Sequence, residues 1–362
     1  MSGIGSTLLS ILEFILAFGA LVFLHELGHF VAARLNKIEV EEFGFGYPPK
    51  IIKLFRAGGT DFTLNWIPFG GFCRMKGEAG DTMEAGSFPA ANPWRRLTTL
   101  LGGPITNLVV GMLIMTFLFM RTGTPDTTKV SIIDIAPNSP AATELQVGDI
   151  IARLNDAPVT SLDALSQMVT PNLGKEVTLS IQRGEQSFEI EITPRAEYPS
   201  DEGPMGVVIS NPVMKTGFFG AIPMAFMTTV DQGVQLLMLP VKLISGKIAP
   251  SQARMVSVKG IYDIFAQVQT IDQQEAAVDP SLKGLNILYF IAIISVALGF
   301  TNLLPIPALD GGHILFLIPE ILFRKRVKPE FEGRVHFIGY VILMGLMVVL
   351  VINDIINPVT LY

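Results

Sequence analysis

A single cysteine, Cys73, stands among 362 residues, so no intramolecular disulfide staples the fold. A lone thiol in an apolar run reads as a small buried side chain. Charge is also scarce. Asp, Glu, Lys and Arg make up 16% of the chain against 49% hydrophobic residues, which argues against an ordinary soluble domain and for a membrane protein. Basic residues are not in excess, and a net charge of −6 offers no footing for nucleic acid. Histidine is rarer still, with four in the chain, and two of them fall inside one apolar stretch. Long internal repeats and low-complexity tracts are missing.

Long hydrophobic runs are what the chain has. Residues 8–35, 97–120 and 285–322, the last interrupted by prolines and glycines, are each long enough to cross about 30 Å of hydrocarbon. Residues 337–352 form a shorter, almost wholly apolar fourth run. The first run has no lysine or arginine before it, and its removal as a signal peptide would discard both histidines, so it is expected to be a retained helix. Residues 218–248 are apolar but interrupted by Pro223, Asp231, Gly233 and Pro240. They read as interfacial or packed against the bundle, because a fifth crossing would reverse the charge pattern. Between the second and third spans, residues 125–210 alternate apolar and polar positions, with a hairpin expected near Gly184 in "KEVTLSIQRGEQSFEIEITP".

Basic residues mark the cytoplasmic side. Arg34, Lys37, Lys50, Lys53, Arg56, Arg74, Lys76, Arg95 and Arg96 lie from the end of the first span to the start of the second, and Arg324, Lys325, Arg326, Lys328 and Arg334 lie before the fourth. With both connections in the cytoplasm, the 125–210 block is extracytoplasmic.

The first span carries "HELGH". Four residues is about 400° of helical rotation, so His25 and His29 project from one face, one turn apart. Both imidazoles can then reach one Zn²⁺, with Glu26 beside the open position as general base. Two histidines in lipid are costly unless paired or liganded. A third ligand is needed, and the chain offers His313, His336 and "TNLLPIPALDGGH". Asp310 lies well past the middle of the third span, at the depth of the histidines in the first. Pro305, Pro307, Gly311 and Gly312 open the helix there, which only a buried or hydrated cavity tolerates. The plainer alternative is a kink with a capping aspartate, which has no need of matched depth. Zn²⁺, one aspartate and one hydroxide sum to zero charge, which suits a low-dielectric setting.

"HELGH", "GFGYPPKI", "IPFGGFCRMKGE", "GGPITN" and "NLLPIPALDGGH", taken in this order, resemble the bacterial site-2 proteases, most of all those of the regulator-of-sigma-E type. The resemblance covers nearly the whole chain. It implies an intramembrane zinc endopeptidase of the bacterial cytoplasmic (inner) membrane that cuts single-span membrane proteins, such as anti-sigma factors or signal-peptide remnants, already trimmed by another protease. By motif position His25, His29 and Asp310 would be ligands of one Zn²⁺ and Glu26 the base. Asn302, with Pro305 and Pro307, would bind substrate or the oxyanion. Residues 61–76 would form a membrane re-entrant β-hairpin, with Thr63, Trp66, Ile67 and Phe69 providing an edge for an unwound substrate. The 125–210 block resembles a bacterial PDZ domain, and the chain has room for one. Its groove would be formed by Leu145, Gly148, Asp149 and Ile150 around "ELQVGDII".

The expected fold is therefore a membrane protein of about four transmembrane α-helices with a membrane-associated β-hairpin and an extracytoplasmic α/β PDZ domain. Its parts are residues 1–122 (helices 1 and 2 with the hairpin), 125–210 (PDZ), 211–284 (interfacial) and 285–362 (helices 3 and 4). Two other functions compete. A zinc transporter would need several polar residues along a path, and the spans supply few apart from Glu13. A catalytically inactive PDZ scaffold would need neither HExxH nor Asp310.

Overall fold

The computed structural model describes residues 3–78, 82–199, 202–248 and 254–361. The chain divides into two units, one made of Met1–Leu118 with Ile222–Tyr362 and the other of Phe119–Ala221.

In the first unit, uninterrupted apolar sequence gives α1 (Gly3–Leu35). Two long strands follow, β1 (Val40–Ala57) and β2 (Thr60–Met75), joined at Gly58–Gly59, both with positive φ. Their register is folded back on itself. Ala57 pairs with Thr60 and Lys50 with Asn65, as in a hairpin, while Phe43 pairs with Phe62 on one side and with Cys73 on the other. Residues 42–45 thus lie between 61–64 and 71–75. The re-entrant hairpin expected over 61–76 is accordingly not a self-contained pair of arms: both halves of β2 flank β1. Phe43, 1% exposed, anchors this sheet to α1 through edge contacts with the rings of Phe23 and Phe30.

Asn92 caps α2 (Pro93–Leu100), its side chain accepting from the Trp94 N–H. After Leu101 the chain continues as α3 (Gly102–Thr122). Added Cβ atoms on Gly28 and Gly102 would lie 2.3 and 2.5 Å from each other's carbonyl oxygens. The glycine of HELGH therefore lets the α1 and α3 backbones touch, a common device where lipid removes any hydrophobic drive for packing.

The second unit holds β3 (Thr124–Pro125), β4 (Val130–Ile135), β5 (Ile150–Leu154), β6 (Ala157–Pro158), α4 (Leu162–Val169), β7 (Val177–Arg183), β8 (Gln186–Ile192), β9 (Val207–Ser210) and β10 (Val213–Met214). The main sheet runs β8-β7-β5-β4-β9, with β6 on β5, and β3 pairs with β10. The hairpin expected near Gly184 is present, closed by Arg183 opposite Gln186. Val130, Ile132, Ile151, Leu165, Leu179 and Ile181 fill its core.

The remaining helices are α5 (Phe218–Ile244), α6 (Val258–Val278), α7 (Leu285–Asn302), α8 (Asp310–Phe323) and α9 (Pro329–Ile356). Among the described residues four helical stretches are long and apolar enough to cross a membrane: Gly5–Leu35, Pro93–Thr122, Pro280–Asn302 and Pro329–Ile356. The expected count of four holds, and α5, with Pro223 and Pro240 inside it, is not one of them. The expected third run, 285–322, is two helices. Residues 303–309 turn the chain, with Ala308 at φ 76°, so Asp310 opens a new helix rather than lying within one. The fourth helix begins at Pro329, before the apolar run that marked it, because charged first-turn residues such as Glu330 and Glu332 hide a helix start from hydropathy.

Candidate metal centre

His25 and His29 face α3 and the start of α8. Their Nε2 atoms are 3.2 Å apart. His25 Nε2 is 3.2 Å from Asp310 Oδ2, and His29 Nε2 is 3.4 Å from Asp310 Oδ1. Zinc with N and O ligands at about 2.0–2.1 Å in a tetrahedron has ligand-to-ligand edges near ~3.4 Å. The three atoms form one face of that figure. Among the described residues, nothing donates a hydrogen bond to the buried Asp310 Oδ2, which leaves its lone pairs for a cation. A Cβ on Gly103, at the N-terminus of α3, would fall 2.3 Å from His29 Nε2 and 2.6 Å from His25 Nε2. The missing side chain leaves space at the imidazole tips, and these residues fit zinc.

Neighbours fix the rings. His29 Nδ1 lies 2.9 Å from the Thr99 carbonyl oxygen, which can only accept, so Nδ1 carries the proton and Nε2 keeps its lone pair. His25 Nδ1 lies 3.3 Å from Asn107 Nδ2, while Asn107 Oδ1 is buried without a partner. Turning that amide over lets Oδ1 accept from His25 Nδ1–H and frees Nε2 for a metal, the orientation that ligation requires. Thr99 and Asn107 went unnoticed in the sequence. A backbone carbonyl leaves no residue-type signal, and Asn107 showed only as the end of "GGPITN".

A cleft of about 600 Å³ opens beside the three ligand candidates, lined also by Glu26, Tyr47, Cys73, Met75, Asn302 and His313. The Cys73 N–H donates to the Glu26 carboxylate, and the Met75 N–H donates to Glu78 Oε2 at 3.1 Å. Among the described residues, 71–75 pair with β1 on one side only, and residues 72–75 line the cleft. The edge is thus not where the sequence put it. Thr63 is fully buried within the sheet, and Trp66 and Ile67 are exposed but do not line the cleft. The Phe69 side chain lies outside the described residues. Asn302 does line the cleft, though its Nδ2 donates to Leu298 O at 3.0 Å, within its own helix. Pro305 and Pro307 do not line it; Pro307 lies against Gly339 of α9, so the prolines shape the turn.

His313, Glu332 and His336 also cluster, but the two rings stack face to face, 3.7 Å between centroids and 12° from parallel. One ion cannot lie in both ring planes, so this is no metal site. His336 Nδ1 instead accepts from the Ala308 N–H at 2.9 Å and holds the turn before Asp310.

In the second unit the expected groove residues are otherwise employed. Leu145 is in the core. The Asp149 carboxylate is fully buried and takes two hydrogen bonds of 2.7 Å from Arg183. The N–H groups of Leu145, Gln146, Gly148 and Asp149 all have internal acceptors, which leaves none of these four to capture a peptide carboxylate. Ile150 pairs within the sheet.

A HExxH helix, whose glutamate lies in the same cleft as its two histidines, and a carboxylate from a distant helix fit a metallohydrolase, here carried on helices able to span a membrane. The comparisons agree. The profile of peptidase family M50 matches residues 13–346, and the chain belongs to that family. It is 31% identical to a protein of Clostridium perfringens provisionally named a zinc metalloprotease, over 95% of this chain and 98% of the relative. It is 27% identical to the regulator of sigma-W protease RasP of Bacillus subtilis, over 96% and 98%, and 27% identical to the zinc metalloprotease RasP of Bacillus licheniformis, again over 96% and 98%. The chain is a membrane zinc metalloprotease of the site-2 protease type, and zinc is its cofactor.

Proposed function

We propose that this protease cuts single-span membrane proteins within the bilayer, with His25, His29 and Asp310 as the zinc ligands and Glu26 as the catalytic base. The observation that carries the reading is the triangle of atoms with edges of 3.2–3.4 Å at the wall of a cleft that strand residues 72–75 also line. A transmembrane helix shields its own peptide bonds, so hydrolysis requires local unwinding. Strand 71–75 offers the unwound stretch substitute hydrogen-bond partners once the Met75 N–H leaves Glu78 Oε2, the Cys73 N–H staying on Glu26, and the stretch adds as a strand. Bound zinc supplies a Lewis acid that polarises the scissile carbonyl and lowers the pKa of water to about 7. Glu26, held by the Cys73 N–H, takes the proton of the attacking water and delivers it to the leaving amine. Asn302 stabilises the oxyanion once its amide leaves Leu298 O.

The sigma-regulator name of the Bacillus subtilis relative supports anti-sigma factors as one substrate class, and signal-peptide remnants meet the same single-span requirement. The basic connections put the metal centre toward the cytoplasm and the Phe119–Ala221 unit outside it, in the bacterial inner membrane. That unit acts as a PDZ-like filter that excludes bulky ectodomains, so that substrates arrive pre-trimmed. The internal use of its N–H groups at 145–149 favours occlusion over capture of a free C-terminus.

Incubating purified protein with a model single-span protein tests the reading. Cleavage is expected to stop with a chelator and in Glu26→Gln, with zinc retained in the variant. Full activity of Glu26→Gln removes the proposed base.

A further inference from the structure

Arg96 is 6% exposed, and its Nη1 donates to Glu320 Oε2 at 2.7 Å. The two residues are 224 positions apart. A buried ion pair contributes little net stability compared with apolar residues of the same volume, because desolvation offsets the attraction. What such a pair does provide is a fixed geometry, and the elements it joins are those of the metal centre. Arg96 shares the buried face of α2 with Thr99, whose carbonyl sets the His29 ring. Glu320 sits on α8, which begins at Asp310; ten residues of helix is about 15 Å. The turn at 303–309 uncouples α8 from α7, and α8 packs chiefly on α2. The clamp is reinforced on both sides. Arg96 lies over the Phe88 ring at 5.3 Å, and Arg326, whose Nε is 4.0 Å from Glu320 Oε2, donates to Pro89 O at 3.0 Å.

We propose that Arg96 and Glu320 are positioning residues: they set where α8 stands along α2, and so where the Asp310 carboxylate meets the two imidazoles. This rests on the ligand assignment above. Asp310 and Glu320 stand on one helix, interrupted only by Pro319 beside the clamp, so a slide of the stretch between them along α2 carries the Asp310 carboxylate with it.

The test is zinc affinity of the full chain in detergent, read by competition with a chromophoric chelator, with the melting temperature of the zinc-free protein alongside. Glu320→Gln is expected to weaken zinc about ten- to a hundred-fold, the range seen when groups that orient metal ligands are lost. The Arg96→Met/Glu320→Leu double variant keeps the volume apolar and paired. It should melt near the wild type when zinc-free and still bind zinc at least about tenfold more weakly. Wild-type affinity in the double variant overturns the proposal. Asp310→Ala separates the two readings. If it loses zinc while the double variant does not, the ligand assignment stands and the clamp falls. If Asp310→Ala keeps wild-type affinity, both fall.

Discussion

Replacing Gly103 by alanine adds one methyl group, and the geometry says where it goes. The new Cβ would lie 2.3 Å from His29 Nε2 and 2.6 Å from His25 Nε2, against 3.4 Å for ordinary contact. Both rings must therefore retreat by about 1 Å, or α3 must move away from α1. Separation of the helices is resisted by the backbone contact of Gly28 with Gly102. Metal-to-ligand distances tolerate only about ±0.2 Å, so a retreat of that size removes a ligand. Zinc affinity should fall by at least about a hundredfold, and proteolysis with it. Helix propensity favours alanine over glycine by about 1 kcal/mol, against about 1–3 kcal/mol for the overpacking, so the zinc-free melting temperature should fall only modestly beside the loss of zinc. The assay is metal content of the purified variant by mass spectrometry, together with its zinc-free melting temperature. Gly333→Ala is the control, on α9, where an added Cβ meets nothing within 4 Å. A Gly103→Ala protein that keeps one zinc and full activity would refute the reasoning.

Other consequences are equally open to measurement. Asp149 is pushed up by burial but pulled further down by the Arg183 guanidinium and the Gln146 N–H, so its carboxyl titrates below the ordinary range. Its stabilisation of the second unit is therefore complete above the unfolded value of about 3.9 and is lost as pH falls through the lower folded value. Asp149→Asn should cost about 1.5–3 kcal/mol at neutral pH and flatten the acid limb of the melting profile; an unchanged limb contradicts the ion pair. Phe43→Ala should destabilise the first unit by about 3–5 kcal/mol through the cavity left under Phe23 and Phe30, measured as a lower melting temperature in detergent. The Asp126 N–H and the Pro212 carbonyl are 2.8 Å apart, so a short Gly-Ser linker can replace residues 127–210 without separating β3 from β10. That deletion should permit cleavage of untrimmed substrate, and an intact untrimmed protein after incubation would end the filter idea.

The meeting of His25, His29 and Asp310 was legible because its signals are local or additive. The four-residue spacing of His25 and His29 fixes one helical face, and the matching depth of Asp310 follows from counting along two apolar runs. What supports the triangle was not legible. Thr99 acts through a backbone carbonyl, Gly103 through a side chain it lacks, and Arg96 finds Glu320 only after folding. The strand edge was misplaced because β2 folds back on β1: Thr63 looked free in sequence but lies between two strands, while Cys73–Met75 looked like the end of a hairpin. The "ELQVGDII" turn misled for another reason. The groove expected there needs open N–H groups, yet those of Leu145, Gln146, Gly148 and Asp149 are taken by Ala141 O, Asp149 Oδ2, Ile132 O and Gln146 O, acceptors that only the folded turn brings near.

X-ray absorption at the zinc edge of the purified protein tests the metal centre most directly. The spectrum should show nitrogen and oxygen neighbours alone at about 2.0–2.1 Å, with the multiple scattering of two imidazoles, and Asp310→Ala should abolish the bound zinc. A sulfur neighbour at about 2.3 Å, which only Cys73 or a methionine could supply, or a spectrum unchanged in Asp310→Ala, would contradict the assignment.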